Sequence, residues 1–201
     1  MSNAVWKFDD NTYEFIKGEV IHLFIKYQVK CIPVSGFEIA TKMGIKLIPY
    51  SSLSPEKRKY AESVDPDGFV ACAGTEECIY YNDIGHSYER QNMTILHEIA
   101  HIVLDHRGLP EDQEREEDEA DFFAKYAIAP PVLVDRINPQ SYKEIYDHFD
   151  ITYEAAHYAY DYYLAWKSHH QKTKSYTQYE IALLKLYLDS IVATRGGDSV
   201  D

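Results

Sequence analysis

The stretch "ILHEIAHIVL" (residues 95–104) sets two histidines four residues apart, with a glutamate directly after the first. On an α-helix, side chains four apart lie one above the other on the same face. His97 and His101 can therefore offer imidazole nitrogens to one ion, at about 2.0–2.1 Å for zinc. Glu98 is turned by about 100° from His97, close to such an ion without having to bind it. That is where a base for an activated water belongs. Ile95, Leu96, Ile99, Ile102, Val103 and Leu104 make this helix apolar on nearly every side, so it should be buried. Buried imidazoles and a buried carboxylate are costly without partners, and a cation supplies one.

A hydrolytic zinc takes three protein ligands and leaves a fourth position to solvent. An extended motif would place glycine at 104 and a third histidine at 107, but the chain has Leu104 and Arg107 there. A carboxylate from another helix is the alternative, and the acidic run "EREEDEADFFA" (114–124) is where to look. Glu117, Ala120, Asp121, Ala124 and Ile128 form one helical stripe. Its two alanines permit close approach to the metal helix, from which Glu117 can reach the ion. Asp121, one turn on, can accept the other ring N–H of a ligand histidine and fix its tautomer. Glu114, Glu116, Asp118 and Glu119 read as solvated surface charge.

The elements that must carry these residues follow from pattern. "NTYEFIKGEVIHLFIKYQV" reads as an amphipathic helix with Phe15, Val20, Leu23, Phe24 and Tyr27 at near-helical spacing. "GFEIATKMG" is a short helix ending at Gly44, and "IKLIPY" alternates like a strand. Ser54 and Pro55 open a third helix. "GFVAC" and "CIYYND", separated by "AGTEE", suggest a hairpin. "SYERQNMTILHEIAHIVLDH" is the metal helix, stopped by Gly108 and Pro110. "EDQEREEDEADFFAKYAIA" is the acidic helix, ended by Pro130 and Pro131, with acidic residues in the first turns where the helix dipole favours them. "QSYKEIYDHF", "TYEAAHYAYDYYLAW" and "YTQYEIALLKLYLDSIVATR" are helical. The expected divisions are an N-terminal helical segment (1–62), a metal-binding core (63–131), a C-terminal helical segment packed on it (132–195) and a disordered tail (196–201).

Bulk properties narrow the function. The 201 residues are 45% hydrophobic and 14% aromatic, enough for a real core. A net charge of −13 opposes direct nucleic-acid binding. No apolar run approaches the roughly 18 residues of a membrane span, and no secretory signal is evident. Cys31, Cys72 and Cys78 are too few for a disulfide framework and read as reduced thiols in a cytoplasmic protein.

Taken together, "HEIAH" (97–101), "EDEADFFA" (117–124) and "APP" (129–131) resemble the ImmA/IrrE family of zinc metallopeptidases. The likeness extends upstream to "GFVAC…CIYYND" and downstream to "FDITYEAA" (149–156), covering roughly residues 35 to 165. Ala100 stands where the family often has glycine, and Asp121 where it often has asparagine. Some family members carry a helix-turn-helix domain, and none is evident here. Carried over by position, the resemblance implies that His97, His101 and Glu117 bind Zn2+ and that Glu98 is the catalytic base. It implies an α+β, zincin-like fold: a largely helical body with a small antiparallel sheet and the active site between two helices. The protein partner it implies is a helix-turn-helix transcriptional repressor, cleaved to release mobile-element, phage or stress-response genes. A general intracellular peptidase and a non-catalytic zinc-binding regulator that sequesters a partner are the alternatives. Tyr153, His157 and Tyr160 share a stripe that could offer an oxyanion donor, although aromatic packing is the expected use of such a stripe.

Overall fold

Asp9 accepts a hydrogen bond from the backbone of Thr12 and opens α1 (Asp10–Lys26). Ser35 does the same for Glu38 at the start of α2 (Gly36–Met43), which stops at Gly44 in the left-handed region, φ +80°. Each cap satisfies a donor that the first turn leaves unpaired, worth about 1 kcal/mol. The structure, a computed structural model, describes residues 8–73, 76–106 and 108–195. The tail expected over 196–201 lies outside the described residues. α1 buries Tyr13, Ile16, Val20, Ile21, Leu23 and Phe24. Phe15, placed on the apolar face by spacing, is instead 59% exposed, because the helix turns a neighbouring stripe inward.

Three short strands follow: β1 (Lys46–Pro49), β2 (Gly68–Ala73) and β3 (Glu76–Tyr81). β2 and β3 pair antiparallel from Gly68↔Tyr81 to Ala73↔Glu76, the expected hairpin. β1 runs parallel to β3, giving the order β1-β3-β2. The sheet is therefore mixed and not wholly antiparallel as the sequence suggested. Between β1 and β2 lies α3 (Pro55–Val64), capped by Ser54, and this excursion returns the chain to start the hairpin from the opposite direction. The α+β class itself holds.

β2 enters against both β3 and the metal helix. Asp65 Oδ1 accepts from the backbone of Asp67 and Gly68 and shapes that entry. A Cβ at Gly68 would stand 2.7 Å from Thr94 Cγ2 and 2.8 Å from the Tyr80 carbonyl oxygen. Gly68→Ala is accordingly expected to cost about 1–3 kcal/mol, measured by chemical denaturation, because backbone cannot yield as a side chain can.

α4 (Tyr88–Val103), capped by Ser87, packs against α2, β2, β3 and α5 (Gln113–Ile128). Ile95, Leu96, Ile99 and Ala100 have no exposure, and full burial of each of the larger three is worth roughly 1.5–3 kcal/mol. Asn92, also buried, accepts from Gly36 N and donates to Val34 O, tying the start of α2 to α4. On α5, Ala120 and Ala124 are fully buried, the small side chains that close approach requires. Pro131 does more than end α5: it opens α6 (Pro131–Val134), its missing N–H harmless at a first helical position. α7 (Tyr142–Phe149), α8 (Tyr153–Thr173) and α9 (Gln178–Arg195) complete the chain, α8 running seven residues past Trp166. Among the described residues no helix is long and apolar enough to cross a membrane. Cys31 and Cys78 are free thiols.

Candidate metal centre

α4 stops at Val103, three residues short of the helical span read from the sequence. Asp105 takes a left-handed backbone, φ +54°. Its N–H then bonds to Ile102 O, and the N–H of His106 bonds to His101 O. This is a Schellman stop, which satisfies two carbonyls of the last turn. His101 thus sits at an open helix end, with Ile102, Val103 and Leu104 only partly buried. The helix dipole places partial negative charge there, favourable to a cation.

Across from this end, α5 presents Glu117. His97 Nε2 lies 3.2 Å from Glu117 Oε2, 3.1 Å from His101 Nε2, and His101 Nε2 is 3.7 Å from Glu117 Oε1. One ligand atom from each of the three residues falls within 4.8 Å of the others. The sequence put these three together, and the structure does so as well. Asp121, also singled out, lies with Oδ1 3.2 Å from His97 Nδ1 and Oδ2 3.5 Å from Lys125 Nζ. His97 can therefore donate from Nδ1 to that carboxylate and turn Nε2 inward.

Glu98 points elsewhere on α4, only 7% exposed, and the backbone of Val70 in β2 bonds to it. Burial pushes its carboxyl up to about 7, against the pull of His97. Burial also opposes charge on His97, but its hydrogen bond to Asp121 and the charges of Glu98, Asp121 and Glu117 prevail and hold its pKa above the usual value. Asp121 is lowered in turn, first by the His97 hydrogen bond. His101 is pushed down to about 4 by burial, then by its neighbours His97 and His106. A neutral His101 keeps a lone pair for a metal. Two imidazoles and a carboxylate, converging with acidic charge around them, suit a divalent cation of zinc type.

The site lies in a broad cleft of about 960 Å³, bordered by Asp67, Gly68, Phe69 and Arg90 on one side and Thr152, Tyr153 and Tyr158 on another. Arg90 grips Asp67 through three N–H···O contacts of 2.7–3.0 Å at its rim. Of the aromatic stripe, His157 stacks on Tyr142 at 3.5 Å and Tyr160 donates to Gln140 O, so both serve packing. Tyr153 packs against Tyr142 and Tyr146 while also facing the cleft.

Two acidic residues read as solvated are not. Glu116 is buried and accepts from Gly108 N, pinning the loop after α4 to α5. Glu119 has Oε2 3.1 Å from Nε2 of His106, a histidine the sequence gave no reason to single out. Comparison with curated proteins finds no match. The family model of the IrrE N-terminal-like domain, a peptidase family, matches residues 40–161, more than half of the chain. That span takes in both helices of the site and the sheet beside them, and the chain belongs to the ImmA/IrrE family of metallopeptidases.

Proposed function

We propose that this protein is a zinc-dependent endopeptidase whose substrate is a helix-turn-helix transcriptional repressor. The observation that carries the peptidase reading is the convergence of His97, His101 and Glu117 beside the buried carboxylate of Glu98. His97, His101 and Glu117 would hold the ion, with Asp121 orienting the His97 ring. Zinc bound there supplies Lewis-acid activation of a peptide carbonyl and of water.

The rest falls to the chain. Glu98 takes a proton from the attacking water and returns it to the leaving amine, and a carboxyl raised to about 7 can do both near neutral pH. The backbone bond from Val70 keeps it from swinging out of reach. β2 is an outer strand beside the cleft, a surface on which an extended peptide can add main-chain hydrogen bonds. The open cleft suits a protein segment better than a small molecule. Membership of the family supports the repressor as target class, and the acidic surface fits a protein that acts on a repressor and not on DNA.

The test is incubation with a native helix-turn-helix repressor encoded beside this protein, with products read by mass spectrometry. Discrete paired fragments are expected. Equal cleavage of an unrelated unfolded protein would favour a general peptidase, and repressor binding without fragments would favour sequestration.

A further inference from the structure

His106 and Glu119 take no part in the mechanism above, yet they stand directly behind one of its ligands. His106 Nδ1 lies 2.9 Å from His101 Nδ1, and His106 Nε2 lies 3.1 Å from Glu119 Oε2. Their side chains are only 5% and 14% exposed. A carboxylate accepts and cannot donate, so the proton of neutral His106 sits on Nε2. Nδ1 of His106 is then an acceptor, and His101 must donate to it from its own Nδ1. That leaves the His101 lone pair on Nε2, the atom that faces His97 and Glu117.

We propose that His106, oriented by Glu119, is a positioning residue that fixes the tautomer and ring plane of His101 for metal binding. The inference rests on the metal site proposed above. The two ligand rings are held by different devices: His97 donates directly to a carboxylate, whereas His101 donates to an imidazole that donates to one. The Schellman stop is what turns His106 back onto His101, and the Glu116 carboxylate holds the following loop in place. Arg115 Nη1, 3.8 Å from Glu119 Oε1, steadies the far end. An apolar side chain would fill the same space at lower desolvation cost, so a buried imidazole here is explained by what it accepts.

The experiment measures zinc affinity by competition with a chromophoric chelator, beside ¹⁵N NMR of the histidine rings in the metal-free protein. In the wild type His101 should carry its proton on Nδ1. His106→Ala should bind zinc about 10–100-fold more weakly and lose that tautomer preference. His106→Gln, whose carbonyl can accept from His101 while its amide donates to Glu119, should recover most of the affinity. Glu119→Ala should weaken binding in the same direction, and it serves if His106→Ala does not fold. Wild-type affinity in both alanine variants, with or without a fall in melting temperature, would overturn the inference while leaving the metal site intact. A wild-type protein that takes up no zinc would overturn the site reading and this inference with it.

Discussion

Glu98→Gln is expected to keep its metal and to lose hydrolysis of the proposed repressor substrate by about two to four orders of magnitude, the usual weight of a positioned proton carrier. The amide has nearly the shape of the carboxylate and can still accept from Val70, so the cleft should keep its form. Glu98 is not one of the three converging residues, and metal content per chain should be unchanged. Cleavage at the wild-type rate would sink the mechanism. The same substitution makes a separate prediction about stability. Because burial raises the folded-state pKa of Glu98 from 4.5 to about 7, the folded protein binds more protons than the unfolded chain between those values. Stability of the metal-free protein should therefore decline as pH rises through that window, and the full penalty, at most about 3 kcal/mol, applies above it. Metal-free Glu98→Gln should unfold at a higher temperature than the wild type at pH 8, with the difference shrinking toward pH 5.

Glu117→Ala is expected to release the metal. One of three donors is lost, and since removing even an outer partner of a ligand costs about 10–100-fold, a ligand should cost at least about 100-fold. The Glu117 side chain is half-exposed in the cleft, so the fold has little stake in it. Metal-free melting temperature should match the wild type, while metal per chain after dialysis, read by mass spectrometry, should drop toward zero. His97→Ala should give the same loss. A Glu117→Ala protein that retains one tightly held metal per chain would mean that another side chain completes the set.

His97, Glu98 and His101 were legible because their relation is local: residues one and four apart on a helix have a fixed geometry whatever surrounds them. Glu117 and Asp121 were legible at longer range, since the alanines beside them announce a close helix contact. The direction of β1 was not. Parallel pairing with β3 depends on where α3 returns the chain, which no strand pattern encodes. His106 and Glu119 were hidden for a related reason. On a continuous helix His106 would lie about 140° around the axis from His101, facing away from it. Only the early stop at Asp105 folds it back, and a single aspartate is a weak announcement of a left-handed turn. Glu119, without His106 to meet, then looks like one more surface charge.

The backbone at Asp105 ties two kinds of constraint together. Aspartate, asparagine and glycine enter the left-handed region at small cost, whereas a β-branched residue there would pay roughly 1–2 kcal/mol. A valine or isoleucine at position 105 would prolong α4 and carry His106 off the ring it supports. Tolerance to change at this position should thus follow the turn preference of the substituted residue. The chemistry of the centre thereby reaches a backbone angle four residues beyond His101.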